Sequence, residues 1–149
     1  LKMGMYNFKL NDFDGRFVHA MFGERDLEKT IYKETENILF TVDMITLDTL
    51  CKNLGVEYID VLHADMQTEI KLLDRAENLL KEQKIGFIIL GTHEMNKPRI
   101  DLLEKFGYHI LTSVEISESY FDDGLILACS NKIFTEVNKN DFIVSKYGQ

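Results

Sequence analysis

Two short stretches of the 149-residue chain gather the side chains able to move a proton or grip a polar ligand. The first is His63-Ala64-Asp65-Met66-Gln67-Thr68-Glu69, and the second is Gly91-Thr92-His93-Glu94. Each follows an apolar run that reads as a strand, so both clusters fall at strand ends. Alternation puts His63 and Asp65 on one face, while Gln67 and Glu69 come as the chain turns into a helix. A carboxylate and an amide in that place can hold a polar substrate or accept a proton. His93 can serve as a base, or as a ligand beside Asp65. The candidate catalytic residues are therefore Asp65, His93, Gln67 and Glu69. A plainer role is open to each. Asp65 or Thr68 can cap the helix, Glu69 can complement its dipole, and His93 can be a solvated histidine at a loop mouth. A metal held by His63, Asp65, Glu69 and His93 is chemically conceivable, but the spacing matches no strong ligand motif. No metal ligands are assigned. His19, inside a strand, and His109, near the start of another, read as packed and hydrogen-bonded.

The elements that position these clusters read as alternating strands and helices. Asn11-Asp12-Phe13-Asp14-Gly15 is turn chemistry. Phe17 to Phe22 reads as a buried strand closed by Gly23, residues 24–37 as a charged, exposed excursion, and Ile38 to Met44 as another strand. Thr46 is placed to cap a short amphipathic helix carrying Leu47, Leu50, Cys51 and Leu54, with Gly55 just beyond its end. Tyr58 to Asp65 is the strand that leads to the first cluster. Leu72, Leu73, Ala76, Leu79 and Leu80 form one helical stripe. Ile85 to Leu90 is an unbroken apolar run, the pattern of a strand covered on both faces. Pro98 opens the next helix, Ile100, Leu102, Leu103 and Phe106 give its apolar side, and Gly107 ends it. Tyr108 to Val114 and Leu125 to Cys129 follow as an antiparallel pair, with the turn-rich Asp122-Asp123-Gly124 before the second. The expected fold is one α/β domain over residues 1–149, an open sheet of parallel strands with an antiparallel C-terminal hairpin. Ligands of such sheets sit at the carboxyl ends of the parallel strands, where both clusters lie.

Composition narrows the function. A net charge of −8 repels phosphate backbones and acidic membranes, so neither nucleic acid nor a membrane is an expected partner. No apolar run is long enough to cross a bilayer, and no signal peptide is visible. Cys51 and Cys129 stand far apart and form no C-x-x-C pair, which reads as reduced thiols in a cytoplasmic protein. There is no G-x-S-x-G and no P-loop, and the nine glycines never form G-x-G.

In this order, the segments resemble the FkbM family of S-adenosylmethionine-dependent methyltransferases over roughly residues 7–130. In that family a strand ends in a pattern like I-D-hydrophobic-Q-G-x-E. Its counterpart here is Ala64-Asp65-Met66-Gln67-Thr68-Glu69. Upstream, Ile45 to Leu50 resembles the family's threonine-leucine-aspartate segment, and Ile59-Asp60-Val61-Leu62 follows it. Downstream, Ile89 to Glu94 is similar to a next strand ending in Thr-His. Gly107-Tyr108 and Asp123 to Ala128 are similar to the closing part, and Asn11 to Gly23 to the segment around the third strand. Thr68 departs from the pattern, standing where the family has glycine. The glycine-rich cofactor turn and the acidic residue that binds ribose hydroxyls have no counterpart. The chain is expected to begin after both.

The resemblance implies a Rossmann-like methyltransferase sheet lacking its first two strands, and O-methylation of a hydroxyl on a small molecule. Asp65 would orient or deprotonate the acceptor with His93 as the base, while Gln67 and Glu69 shape the pocket. His19, Ala20 and Met21 would lie near the adenine of S-adenosylmethionine. The sulfonium already carries an activated methyl group, so no metal is required. With the cofactor turn missing, this chain alone is expected to be inactive. Two other functions compete: a non-catalytic module that binds a partner or its own copy, and a metal-assisted hydrolase using the His/Asp/Glu cluster. Strands left without neighbours invite pairing with another chain, so a homo-oligomer is expected unless Met3 to Leu10 covers an edge.

Overall fold

Local sequence rules account for most of the elements. The computed structural model describes residues 1–35, 38–66, 69–120 and 122–137. The Thr46 side chain accepts a hydrogen bond from the Thr49 amide and starts helix α2 (Leu47–Leu54). Gly55 ends that helix with φ of 65°, a left-handed conformation that suits glycine. Pro98 lies in the first turn of α5 (Lys97–Lys105), where its missing N–H costs nothing. Gly107 follows that helix with φ of 77°.

The chain forms mixed α/β architecture with two open sheets. The smaller sheet joins β1 (Ala20–Phe22), β3 (Ile38–Ile45) and β2 (Leu27–Thr35) in that spatial order, with β1 parallel and β2 antiparallel to β3. The larger sheet has the order β4 (Ile59–Asp65), β5 (Ile85–Thr92), β7 (Gly124–Cys129), β6 (His109–Val114). Strands β4 and β5 are parallel, and β7 runs antiparallel to both β5 and β6. The expected C-terminal antiparallel pair is present, with β7 inserted between β5 and β6.

Register divides the larger sheet into two unlike faces. Leu62, Ile88 and Ala128 share one face, as do Ala64, Leu90 and Ile126. Helices α3 (Glu69–Asp74), α4 (Glu77–Lys81), α5 and α2 cover that face with Leu72, Leu73, Leu80, Leu103, Leu47 and Cys51. On the opposite face, Val61 is 53 % exposed, and Phe87, Ile89 and Leu127 are only half-buried. The apolar run in β5 is therefore fully covered on one face only. Strand β4 ends the sheet with its outer side free of any strand partner among the described residues.

Three other expectations need correction, and one segment given no element from sequence forms a helix. Residues 27–35 are not an excursion but strand β2, hairpinned to β3; Thr30 and Ile31 favour extended backbone, and charge is tolerated because Ile31 itself is 70 % exposed. Only Ala20–Phe22 of the expected 17–22 strand pairs, since the Phe17 ring instead meets Phe8 edge-on at 4.9 Å. The N-terminal ten residues hide a helix, α1 (Lys2–Leu10), with no buried residue; its Phe8 packs on Phe13 and Phe17. The stripe from Leu72 to Leu80 spans two helices, because the chain leaves helical geometry at Ala76 (φ −106°, ψ 27°), yet all five apolar residues are buried.

Candidate functional site

The parallel register of β4 and β5 brings the two sequence clusters together. Asp65 pairs with Gly91, so His93 emerges beside Asp65. A side chain at position 91 would collide with Asp65, since a Cβ there would sit 2.6 Å from Oδ1. Glycine thus lets the Asp65 carboxylate lean across β5. On the other flank of β5, Thr92 pairs with Gly124, which sets Asp123 against His93. A Cβ on Gly124 would lie 2.5 Å from Thr92 Oγ1, so this crossing also depends on a missing side chain.

His93 is the centre of the resulting site. Its Nδ1 lies 2.7 Å from Asp123 Oδ1. Its Nε2 faces Asp65 Oδ1 at 3.6 Å and Glu69 Oε1 at 4.0 Å. When Nδ1–H donates to Asp123, a neutral ring keeps an unprotonated Nε2, which is the form of a general base. The carboxylates of Asp65 and Asp123 are open to solvent, whereas Glu69 is wholly buried.

The buried floor is an ion pair. Arg99, on the first turns of α5 and also buried, places its guanidinium 3.3 Å from Glu69 Oε2 and donates to the Met95 carbonyl at 3.0 Å. The same guanidinium nitrogen lies 3.7 Å from the exposed Glu94. Glu69 Oε1 has no hydrogen-bond partner among the described residues. Below His93, Asn96 locks the strand end in place. It accepts from Thr92 Oγ1 at 2.6 Å and donates to Ser113 Oγ and the Val114 carbonyl, each at 3.0 Å. These bonds tie the His93 turn to β6.

Sequence-predicted residues divide clearly. Asp65, Glu69 and His93 meet. Gln67 and Thr68 lie outside the described residues. His63 shares the Asp65 face of β4 and is exposed. His109 is packed as expected, its ring stacked on Phe134 at 3.8 Å. His19 is not packed in a strand but exposed just before β1. Met21 lines a cleft of about 290 Å³ with Phe22, Leu27, Met44 and Lys71. Helix α3 therefore serves both places, Glu69 facing His93 and Lys71 facing the cleft, where it pairs with Glu24 at 3.2 Å. Sequence reasoning missed Asp123, read as a turn residue, and Arg99 and Asn96. Arg99 did carry a signal: it falls one helical turn before Leu103, on the side of α5 that must be buried.

Among the described residues, no group of three or more His, Cys, Asp or Glu side chains has the arrangement of a metal site. Both cysteines are buried, and burial pushes the Cys51 thiol up, away from the reactive thiolate. None of the described helices is long and apolar enough to cross a membrane. No family model, curated protein or solved structure significantly matches the chain.

Proposed function

We propose that this chain is a methyltransferase-like protein of the FkbM kind, and that the carboxyl ends of β4 and β5 form the side of its site that takes a hydroxyl acceptor. The observation that carries this reading is the orientation of His93, with Nδ1 on Asp123 at 2.7 Å and Nε2 turned toward Asp65. A base so held is suited to drawing a proton from an acceptor hydroxyl at Nε2. Asp65 can accept a hydrogen bond from the same acceptor and fix its direction. Asp123 keeps the ring in one tautomer and stabilises the imidazolium once the proton has moved. The Glu69–Arg99 pair anchors α3 to α5 beneath the ring. The parallel β4–β5 pair with an antiparallel C-terminal pair is compatible with a Rossmann-like sheet.

The cofactor side is a different matter. Met21, Phe22, Leu27 and Met44 give the cleft apolar walls that suit a flat adenine ring. The rest of S-adenosylmethionine carries a carboxylate and an ammonium, and no glycine-rich turn stands ready for it in the sequence. Glu24, Arg25 and Lys71 line the same cleft, but the missing glycine-rich turn leaves its match to the whole cofactor incomplete, and this chain's own groups account only for proton transfer and acceptor binding. That mismatch favours a second reading, a non-catalytic module derived from the same fold. The β4 edge, without a strand partner among the described residues, gives such a module a surface for pairing with its own copy. Calorimetric titration with S-adenosylmethionine, with sedimentation of the same sample, separates the two. Saturable binding supports catalysis by this chain. Absence of heat ends that reading and leaves the acceptor-binding module, for which sedimentation should show a dimer or larger species.

A further inference from the structure

The groups around His93 are unbalanced in charge. In this network Asp65, Glu69, Glu94 and Asp123 supply carboxylates, and Arg99 is the one fixed cation among the described residues. The guanidinium donates to Glu69 Oε2 and to the Met95 carbonyl, with Glu94 at its rim and its buried Nε without a hydrogen-bond partner among the described residues. Glu69 Oε1 is left buried, without a hydrogen-bond partner among the described residues, and faces His93 Nε2 at 4.0 Å. A buried carboxylate oxygen without a donor is costly, and its field reaches further than that of a solvated one. Asp65 adds a second carboxylate, 3.6 Å from the same ring nitrogen, on the solvent side.

Among the described residues, the side chains facing Nε2, Asp65 and Glu69, thus present only acceptors to it. A donor set between Nε2 and Asp65 Oδ1 would be in hydrogen-bond reach of both, at about 2.9 Å from each. We infer that the acceptor taken at this site is cationic: an amino alcohol, whose ammonium lies against Asp65 and the Glu69 field while its hydroxyl meets His93. This inference rests on the reading of the site as a hydroxyl-acceptor site. The ammonium supplies three donors and one positive charge on the solvent side of Nε2, where the described residues place the Asp65 carboxylate. A neutral diol satisfies the donors but not the charge. A hydroxy acid brings a fifth carboxylate among four and is repelled.

The test uses three two-carbon hydroxyl compounds that differ only in their second group: ethanolamine, ethylene glycol and glycolate. Each is titrated into the full chain, without S-adenosylmethionine, while the His93 ring resonances are followed by NMR. Ethanolamine is expected to shift them saturably in the millimolar range, at least about tenfold more tightly than ethylene glycol, with glycolate giving no saturable shift. In Asp65→Asn, an exposed substitution that leaves the buried pair intact, the preference for ethanolamine should fall several-fold. Glu69→Gln should reduce it as well, and the Asp65 variant stands in if that protein does not fold. Equal affinity for ethylene glycol, saturable binding of glycolate, an Asp65→Asn protein with undiminished preference, or no saturable ethanolamine shift would each overturn the inference. Because the cofactor is left out, failure here leaves the methyltransferase reading untouched, and failure of S-adenosylmethionine binding leaves this one untouched.

Discussion

Replacing Arg99 with Met is expected to cost about 3–5 kcal/mol of folding stability, measured by urea denaturation. The magnitude follows from what is left behind. Glu69 is 0 % exposed and has Arg99 as its cationic partner, so the variant buries a carboxylate with nothing to balance it. The Arg99 side chain is only 3 % exposed, so water cannot take over its role. The double variant Glu69→Leu with Arg99→Met removes both charges and should recover most of the loss, because a buried pair replaced as a pair is often neutral. If Arg99→Met stays within about 1 kcal/mol of the parent, the pair is solvated and the floor of the site is misread.

The second large effect lies in the core beneath α3. Leu73 is fully buried between that helix and the covered face of the sheet. Leu73→Ala should cost about 2–5 kcal/mol, the lost transfer energy plus the cavity it leaves. Val61→Ala is the natural control. It sits on the opposite face at 53 % exposure and should cost less than about 0.5 kcal/mol. Comparable losses for the two variants would mean that the open face is covered in solution, which is what pairing of two copies through that face would produce.

The parts of this fold legible in the sequence are those governed by neighbours along the chain. Thr46 and Gly55 bracket α2 through local capping geometry. Pro98 marks the first turn of α5, and the alternation in β4 places His63 and Asp65 on one face. The apolar stripe from Leu72 to Leu80 names the right core residues even though Ala76 breaks the helix, because burial is set by the face and not by continuity. Strand β2 escapes the sequence because its charges suggest solvent, and Glu28 and Lys29 are exposed while still in the strand. Its backbone even takes a left-handed turn at Lys29, whose amide is held by Asp43 at 3.0 Å, a contact no local pattern announces.

The site shows the same division. The sequence placed Asp65 and His93 at adjacent strand ends, since parallel strands in one sheet finish side by side. It could not supply Asp123, because that residue reaches His93 only after β7 inserts antiparallel beside β5. Nor could it supply the pairing of Glu69 with Arg99, which joins two helices 30 positions apart in sequence. Contacts of that kind depend on strand order, and strand order is not written in any single segment. The partner that holds His93 Nδ1 is therefore the part that only the fold reveals.

That orientation is the central claim, and the ring nitrogens of His93 report it directly. In nitrogen-15 NMR of the labelled chain, neutral His93 should carry its hydrogen on Nδ1 with Nε2 bare. In Asp123→Asn that preference should weaken or reverse. A parent protein whose His93 is protonated at Nε2 when neutral, or an Asp123→Asn variant with an unchanged tautomer, would contradict the account.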